Sequence, residues 1–175
     1  MLQRYMRTDI KKSDEYKTPD EAILPLLEFI RKKFPKGSTV WEPCGENSNI
    51  TKIFRSYEYN VIETHINKGF DFLKDNMDKD FDLIVTNPPY SKKDEWLERC
   101  YEHGKPFALL MPTYALNGKK RVSLYKKYGI ELIVFDKRIQ FDRKRNGAWF
   151  PVCWFCWKIL DRNKMEFVIL DKYLK

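Results

Sequence analysis

Asn87, Pro88, Pro89 and Tyr90 follow directly on the apolar run "FDLIVT", and their types suit one kind of chemistry. Each proline disfavours the helical region for the residue before it, so Asn87 and Pro88 are held extended, and neither ring nitrogen can donate a hydrogen bond. The Asn87 side-chain oxygen and the Pro88 carbonyl can then act as neighbouring acceptors at the tip of a strand. Such a pair grips a planar amino group edge-on, and Tyr90 beside it supplies a ring face for stacking. The plainer alternative is a turn that only ends the strand.

A second stretch, "FDKRIQFDRKRNGAWFP", sets Lys137, Arg138, Arg143, Lys144 and Arg145 among Phe141, Trp149 and Phe150. Cations for phosphates interleaved with rings for bases are what a groove for a single strand or a flipped-out base requires. A solvated hairpin with core aromatics is the competing reading. The whole chain of 175 residues carries 33 Lys and Arg against 25 Asp and Glu, a formal charge of +8, which favours an acidic partner. Nucleic acid is the commonest of these.

The elements that must position these groups follow from periodicity. "TPDEAILPLLEFIRKKF" has apolar residues at helical spacing, with Thr18 as N-cap and Pro19 at the first helical position. "STVWEP", "NVIETHI", "FDFL", "FDLIVTN", "PFALLMP", "IELIVFD" and "PVCWFCWKIL" read as strands, which makes "FDLIVTN" the fourth. Helices are expected at "SNITKIFRSYEY", at "KDEWLERCYEHG" ended by Gly104, and at "GKKRVSLYKKYG" closed by Gly129. Alternating helices and strands predict an α/β fold: a mostly parallel sheet with helices on both faces and one antiparallel strand near the end. In open sheets of this kind ligands sit outside the carboxyl ends of the strands, where "WEPCGENS", "ETHIN", "TNPPY" and the basic loop should gather.

At 43% hydrophobic and 33% charged residues the composition is that of a folded chain, expected as a single domain over 1–175 with residues 1–15 as a polar, flexible arm. No apolar run approaches the ~18 residues of a membrane span, and no secretion signal opens the sequence, so the expected location is cytoplasmic, with no membrane partner. Cys153 and Cys156, three apart in a strand, point to opposite faces and cannot converge on a metal, so the four cysteines are expected as buried free thiols and no metal site is assigned.

"EYKTP", "VWEPCGENSNI", "GFDFL" and "VTNPPY", in this order, resemble the motifs of class I S-adenosylmethionine-dependent methyltransferases. The nearest likeness is to adenine-N6 enzymes of phage and bacterial type, over about Tyr16 to Leu160. The resemblance implies a Rossmann-like methyltransferase fold with S-adenosylmethionine as cofactor. It implies Tyr16, Thr18 and Pro19 closing over that donor, and Glu42 and Pro43 with the Gly45 turn holding its methionine end. Asp71 would receive the donor's adenine amino group beside Phe72. This chain departs from the family in offering Gly45 alone where two glycines are usual, and His65 where a ribose-binding acid is usual, with Glu63 two residues earlier as a substitute.

The resemblance further implies that Asn87, Pro88, Pro89 and Tyr90 are catalytic, with Asn87 also reaching the donor. The target base would lie between Tyr90 and an aromatic of the basic loop, Phe141 first, Trp149 or Phe150 otherwise, with Arg143, Lys144 and Arg145 on phosphates. The expected function is methyl transfer to the N6 amino group of adenine in nucleic acid, DNA ahead of RNA. No separate target-recognition domain is expected, so sequence specificity would come from loops or a partner subunit. Two alternatives stand beside it: methylation of a glutamine amide on a protein, and a degenerate module that holds nucleic acid or donor without turnover.

Overall fold

A computed structural model describes residues 17–141, 150–161 and 163–174. Among them seven strands form one sheet, and its register follows from where the apolar runs fall. In chain order the main elements are α1 (Asp20–Lys33), β1 (Thr39–Glu42), α2 (Asn49–Ser56), β2 (Asn60–Glu63), β3 (Leu83–Thr86), α3 (Lys93–His103), β4 (Phe107–Pro112), α4 (Lys119–Tyr128), β5 (Glu131–Phe135), β6 (Val152–Trp157) and β7 (Met165–Val168). The strands lie in the order β2-β1-β3-β4-β6-β5-β7. Only β6 runs against its neighbours, β4 and β5, and the remaining pairs are parallel. This is a Rossmann-like sheet with one reversed strand, as the alternation of elements predicts.

Strand alternation divides the core in two. Val40, Leu83, Val85, Leu110, Trp154 and Cys156 face α1 and α2, while Trp41, Ile84, Leu109, Met111, Cys153 and Phe155 face α3. Residues on adjacent positions of a strand point to opposite faces, so β3 and β4, buried on both sides, need apolar side chains throughout. The Trp154 indole donates to the Ala22 carbonyl at 2.7 Å and so fixes α1 on β6. Cys153 and Cys156 fall on opposite faces, and burial pushes the Cys153 thiol up to about 12.

Three local expectations change. "FDFL" is not a strand but a turn, because the Asp71 carboxylate accepts the Leu73 N–H at 3.0 Å and the Asp71 carbonyl accepts those of Lys74 and Asp75 at 2.9 and 2.8 Å. An aspartate that satisfies nearby backbone donors competes with a sheet ladder. The strand before Asn87 is therefore the third of the sheet in chain order, not the fourth. Finally, Pro19, not Thr18, holds the N-cap position of α1: its ψ of 157° is still extended, and no side chain caps the helix.

Candidate active site

The carboxyl ends of β1, β2 and β3 open on a cleft of about 570 Å³. That size suits a drug-sized or nucleotide-sized ligand. Glu42, Pro43, Cys44, Glu46 and Ser48 line it from the β1 end, His65, Ile66 and Phe70 from the β2 end, Asp71, Phe72 and Leu73 from the turn that follows, and Asn87, Pro89, Ser91 and Lys92 from the end of β3. Thr18 and Lys17 close one side and Trp96 of α3 another.

The β1 loop is held by its own side chains. Glu42 is 1% exposed and its Oε1 accepts the Cys44 N–H at 3.0 Å. Burial pushes its carboxyl up to about 8, against the pull of the Thr86 hydroxyl and the Cys44 N–H, with a smaller push from the charge of Glu63. Gly45 donates to the Thr64 carbonyl at 2.9 Å, and a Cβ there would overlap Glu63 Cγ and stand 2.9 Å from Glu42 Cγ. Only glycine lets the two glutamates close over the turn. Asn47, two residues on, is left-handed at φ 55°, a conformation that asparagine tolerates better than most side chains. Ser48 caps α2 through the Thr51 N–H at 3.0 Å.

Glu63 does not line the cleft: its Oε1 lies under the loop and accepts the Ser48 N–H at 3.3 Å. His65 does line it, 4% exposed, with Nδ1 accepting the Asn67 N–H at 3.1 Å and standing 3.6 Å from Glu46 Oε2. Glu46 also accepts from Asn67 Nδ2 at 3.3 Å, so it bridges the loops after β1 and β2. Nothing in the glutamate's sequence context marked it for that bridge.

Asp71 and Phe72 line the far end. Asp71 pairs with Lys74 at 2.9 Å, and the Lys74 hydrogen bond is the main cause holding its carboxyl below the usual range. Phe72 stacks on Trp96, ring centroids 4.3 Å apart at 18°. Trp96 was missed because, with Leu97, Cys100 and Tyr101, it follows the spacing of an ordinary buried helix face. Arg99, one turn further, clamps this segment: its guanidinium donates to Asp75 O at 3.0 Å, Asn76 Oδ1 at 2.9 Å and Phe72 O at 3.4 Å.

At the end of β3, Asn87 lines the cleft with its side-chain oxygen shielded from bulk water. Pro89 lines it too and accepts the Lys92 N–H at 3.0 Å, while Pro88 is buried and is not among the lining residues. Tyr90 is 7% exposed and meets Phe150 edge to face at 5.7 Å. Phe141 packs against the hydrophobic cluster on the α1 and α2 face of the sheet and does not line the cleft. Thr18 is 3% exposed and its carbonyl accepts from the Asn49 amide at 3.0 Å; Pro19 and Gly45 lie just outside the lining. Tyr16, Arg143, Lys144, Arg145 and Trp149 fall outside the described residues.

The cleft does not share the chain's positive excess: burial keeps Glu42 protonated near neutral pH, which leaves two carboxylates against two lysines. Glu42, Glu46 and Asp71 face it, against Lys17 and Lys92, within a protein of formal charge +8. Among the described residues, no group of three or more His, Cys, Asp and Glu is placed to hold a metal ion, and no helix is long and apolar enough to cross a membrane.

No family model and no curated protein sequence matches the chain. Solved structures do. The chain is similar to a Listeria monocytogenes protein assigned as a class I S-adenosylmethionine-dependent methyltransferase, at TM-score 0.60 and 13% identity, over 90% of this chain and 67% of that one. It is similar to a Vibrio vulnificus protein assigned as the modification subunit of a type I restriction enzyme, at 0.52 and 14%, over 91% of this chain and 48% of that one, so it spans about half of that protein. A Lactococcus lactis protein assigned as a hemolysin matches at 0.52 and 12%, over 90% and 98%. The fold is that of the Rossmann-like methyltransferases, and at these identities the likeness extends to the fold alone.

Proposed function

We propose that the chain is an S-adenosylmethionine-dependent methyltransferase that acts on the exocyclic amino group of adenine in nucleic acid. The observation that carries the reading is that Asn87, at the tip of β3, lines the same cleft as the β1 loop and the Asp71 turn. An amino group gripped there lies within reach of a donor held between those two segments.

The residues fit the donor in charge and shape. A sulfonium and an α-ammonium are both cations, and the Glu46 and Asp71 carboxylates face the cleft, joined by Glu42 when a cation beside it favours its ionised form. The parallel pair Phe72 and Trp96 offers a flat apolar wall for an adenine ring, and His65 with Glu46 offers polar atoms for ribose hydroxyls. Bound there, the donor supplies an activated methyl carbon. Asn87 Oδ1 accepts a hydrogen bond from the amine and favours its pyramidal form, which directs the nitrogen lone pair at that carbon. With the donor bound, the amine held by Asn87 would take the methyl group from sulfur, which would keep the electron pair of the broken bond, and would release its proton to water. Positioning and electrostatics carry the step, with no strong base required. A base in a duplex cannot reach the turn, so the target is single-stranded or flipped out.

Calorimetric titration with S-adenosylmethionine, followed by transfer of a labelled methyl group to adenine-rich DNA, to RNA and to a bacterial protein extract, tests the reading. Donor binding with label in N6-methyladenine is the expected result. Label in glutamine would move the acceptor to protein, and donor binding without any transfer would make the chain a binding module.

A further inference from the structure

We propose that the surface beyond the Asn87–Tyr90 turn is a track for single-stranded nucleic acid, in which Tyr114 stacks on the nucleotide next to the target base and Lys93 holds the phosphate between them. The inference rests on the reading of the turn as a clamp for an adenine amino group.

Tyr114 follows the end of β4 in the turn Thr113–Leu116 and is 45% exposed, whereas Tyr90 and Tyr101 are buried. Its ring meets Phe150 edge to face at 5.6 Å, and Phe150 meets Tyr90 at 5.7 Å, so three rings lead outward from the clamp. Lys93 links the ends of this line: its Nζ donates to the Tyr90 carbonyl at 3.3 Å and stands 5.6 Å from the centre of the Tyr114 ring. The cation thus lies over the Tyr114 ring, so that a nucleotide's phosphate and base are met at one place.

The turn under Tyr114 is braced from three sides. The Thr113 N–H donates to the Pro151 carbonyl at 3.0 Å, which ties it to the segment carrying Phe150. The Ala115 carbonyl accepts from Arg121 Nε at 2.8 Å and from the Tyr125 hydroxyl at 3.0 Å, and Arg121 also pairs with Asp94 of α3. An exposed aromatic on so fixed a backbone loses little freedom when a partner stacks on it.

Charge selects the partner. Lys93 lies at the rings and Lys92 precedes it on the rim of the cleft, and the following helix α4, "KKRVSLYKKY", carries basic residues and no acid, with Lys120 paired to Glu98 of α3. The adjoining cleft, with Glu46 and Asp71 against Lys17 and Lys92, has no such cationic excess. A polyanion is therefore held along the track and not in the cleft, so the backbone stays outside while a base enters.

The test measures binding of a single-stranded oligodeoxyadenylate by fluorescence anisotropy, with 2-aminopurine beside the target adenine to report stacking. Tyr114→Ala should bind about tenfold more weakly, the scale of one lost base–aromatic stack, and should lose the 2-aminopurine quench, while Tyr114→Phe keeps both. Lys93→Gln should lower the slope of log affinity against log salt by about one. Calorimetric donor affinity in each variant shows that the fold is intact. Equal oligonucleotide affinity for the wild type and Tyr114→Ala would overturn the track and leave the clamp standing. A wild type that binds donor but no oligonucleotide would remove the nucleic-acid reading beneath both.

Discussion

The end of the cleft built by the loops after β1 and β2 and the end built by the Asn87–Tyr90 turn differ in charge, in bracing and in the chain that makes them. The first is lined by carboxyl groups and is held by bonds within and between the β1 and β2 segments: Glu42 to Cys44, Glu63 to Ser48, and Glu46 to Asn67. The second is aromatic and basic, and draws on Tyr90, Tyr114 and Phe150 from three separate segments. Under the proposed function, the difference matches each end to a partner. A preformed pocket lined by carboxyl groups suits a small cationic donor, and an outward line of rings with Lys93 suits a long polyanion.

Asn87→Ala separates the two ends most sharply. Loss of one acceptor on the reacting group should lower transfer by about 100-fold or more, while donor affinity measured by calorimetry stays within about twofold. Parallel loss of both would make Asn87 a structural residue of β3 and erase the distinction.

Gly45→Ala strikes the opposite end. The added Cβ overlaps Glu63 Cγ, so Glu63 must swing away and release the Ser48 N–H. We expect destabilisation of about 1–3 kcal/mol in denaturant unfolding and donor affinity reduced by about tenfold, with oligonucleotide affinity unchanged. Arg99→Ala is milder: it frees the Phe72–Asn76 segment from its guanidinium clamp. Donor affinity should fall several-fold, and a full loss of oligonucleotide binding would show that the clamp serves the whole cleft.

A pH dependence is expected at Glu42. Its carboxyl titrates near 8 in the folded chain against about 4.5 ordinarily. The native state therefore keeps a proton that the unfolded chain releases, and this contribution to stability is complete below about 4.5 and is lost as pH rises through about 8. Unfolding free energy should fall across that window more steeply for the wild type than for Glu42→Gln. Donor affinity should move the other way in the wild type, rising toward pH 8, because a cation beside Glu42 favours its ionised form.

Much of this contrast could be read from the sequence at the level of elements. The runs "LIVT" and "FALLMP" are buried along their whole length, and the reversal at β6 followed from the missing helix before it. What escaped was set by side-chain competition and long-range contact. Asp71 converts an apparent strand into a turn by taking a backbone N–H, which no periodicity reveals. Glu63, two residues before His65 on an extended strand, was a reasonable ribose ligand until packing over Gly45 turned it beneath the loop. Trp96 and Tyr114 carry no motif at all: one looks like core, the other like loop, and only the fold places them beside Phe72 and Phe150.

The central claim is most directly tested by a crystal structure of the chain soaked with S-adenosylmethionine. The account predicts the ligand between Glu42, His65 and the Phe72–Trp96 pair, with its methyl group directed toward the Asn87 side chain. A ligand lodged outside this cleft, or an Asn87 amide turned into the sheet with the donor bound, would contradict it.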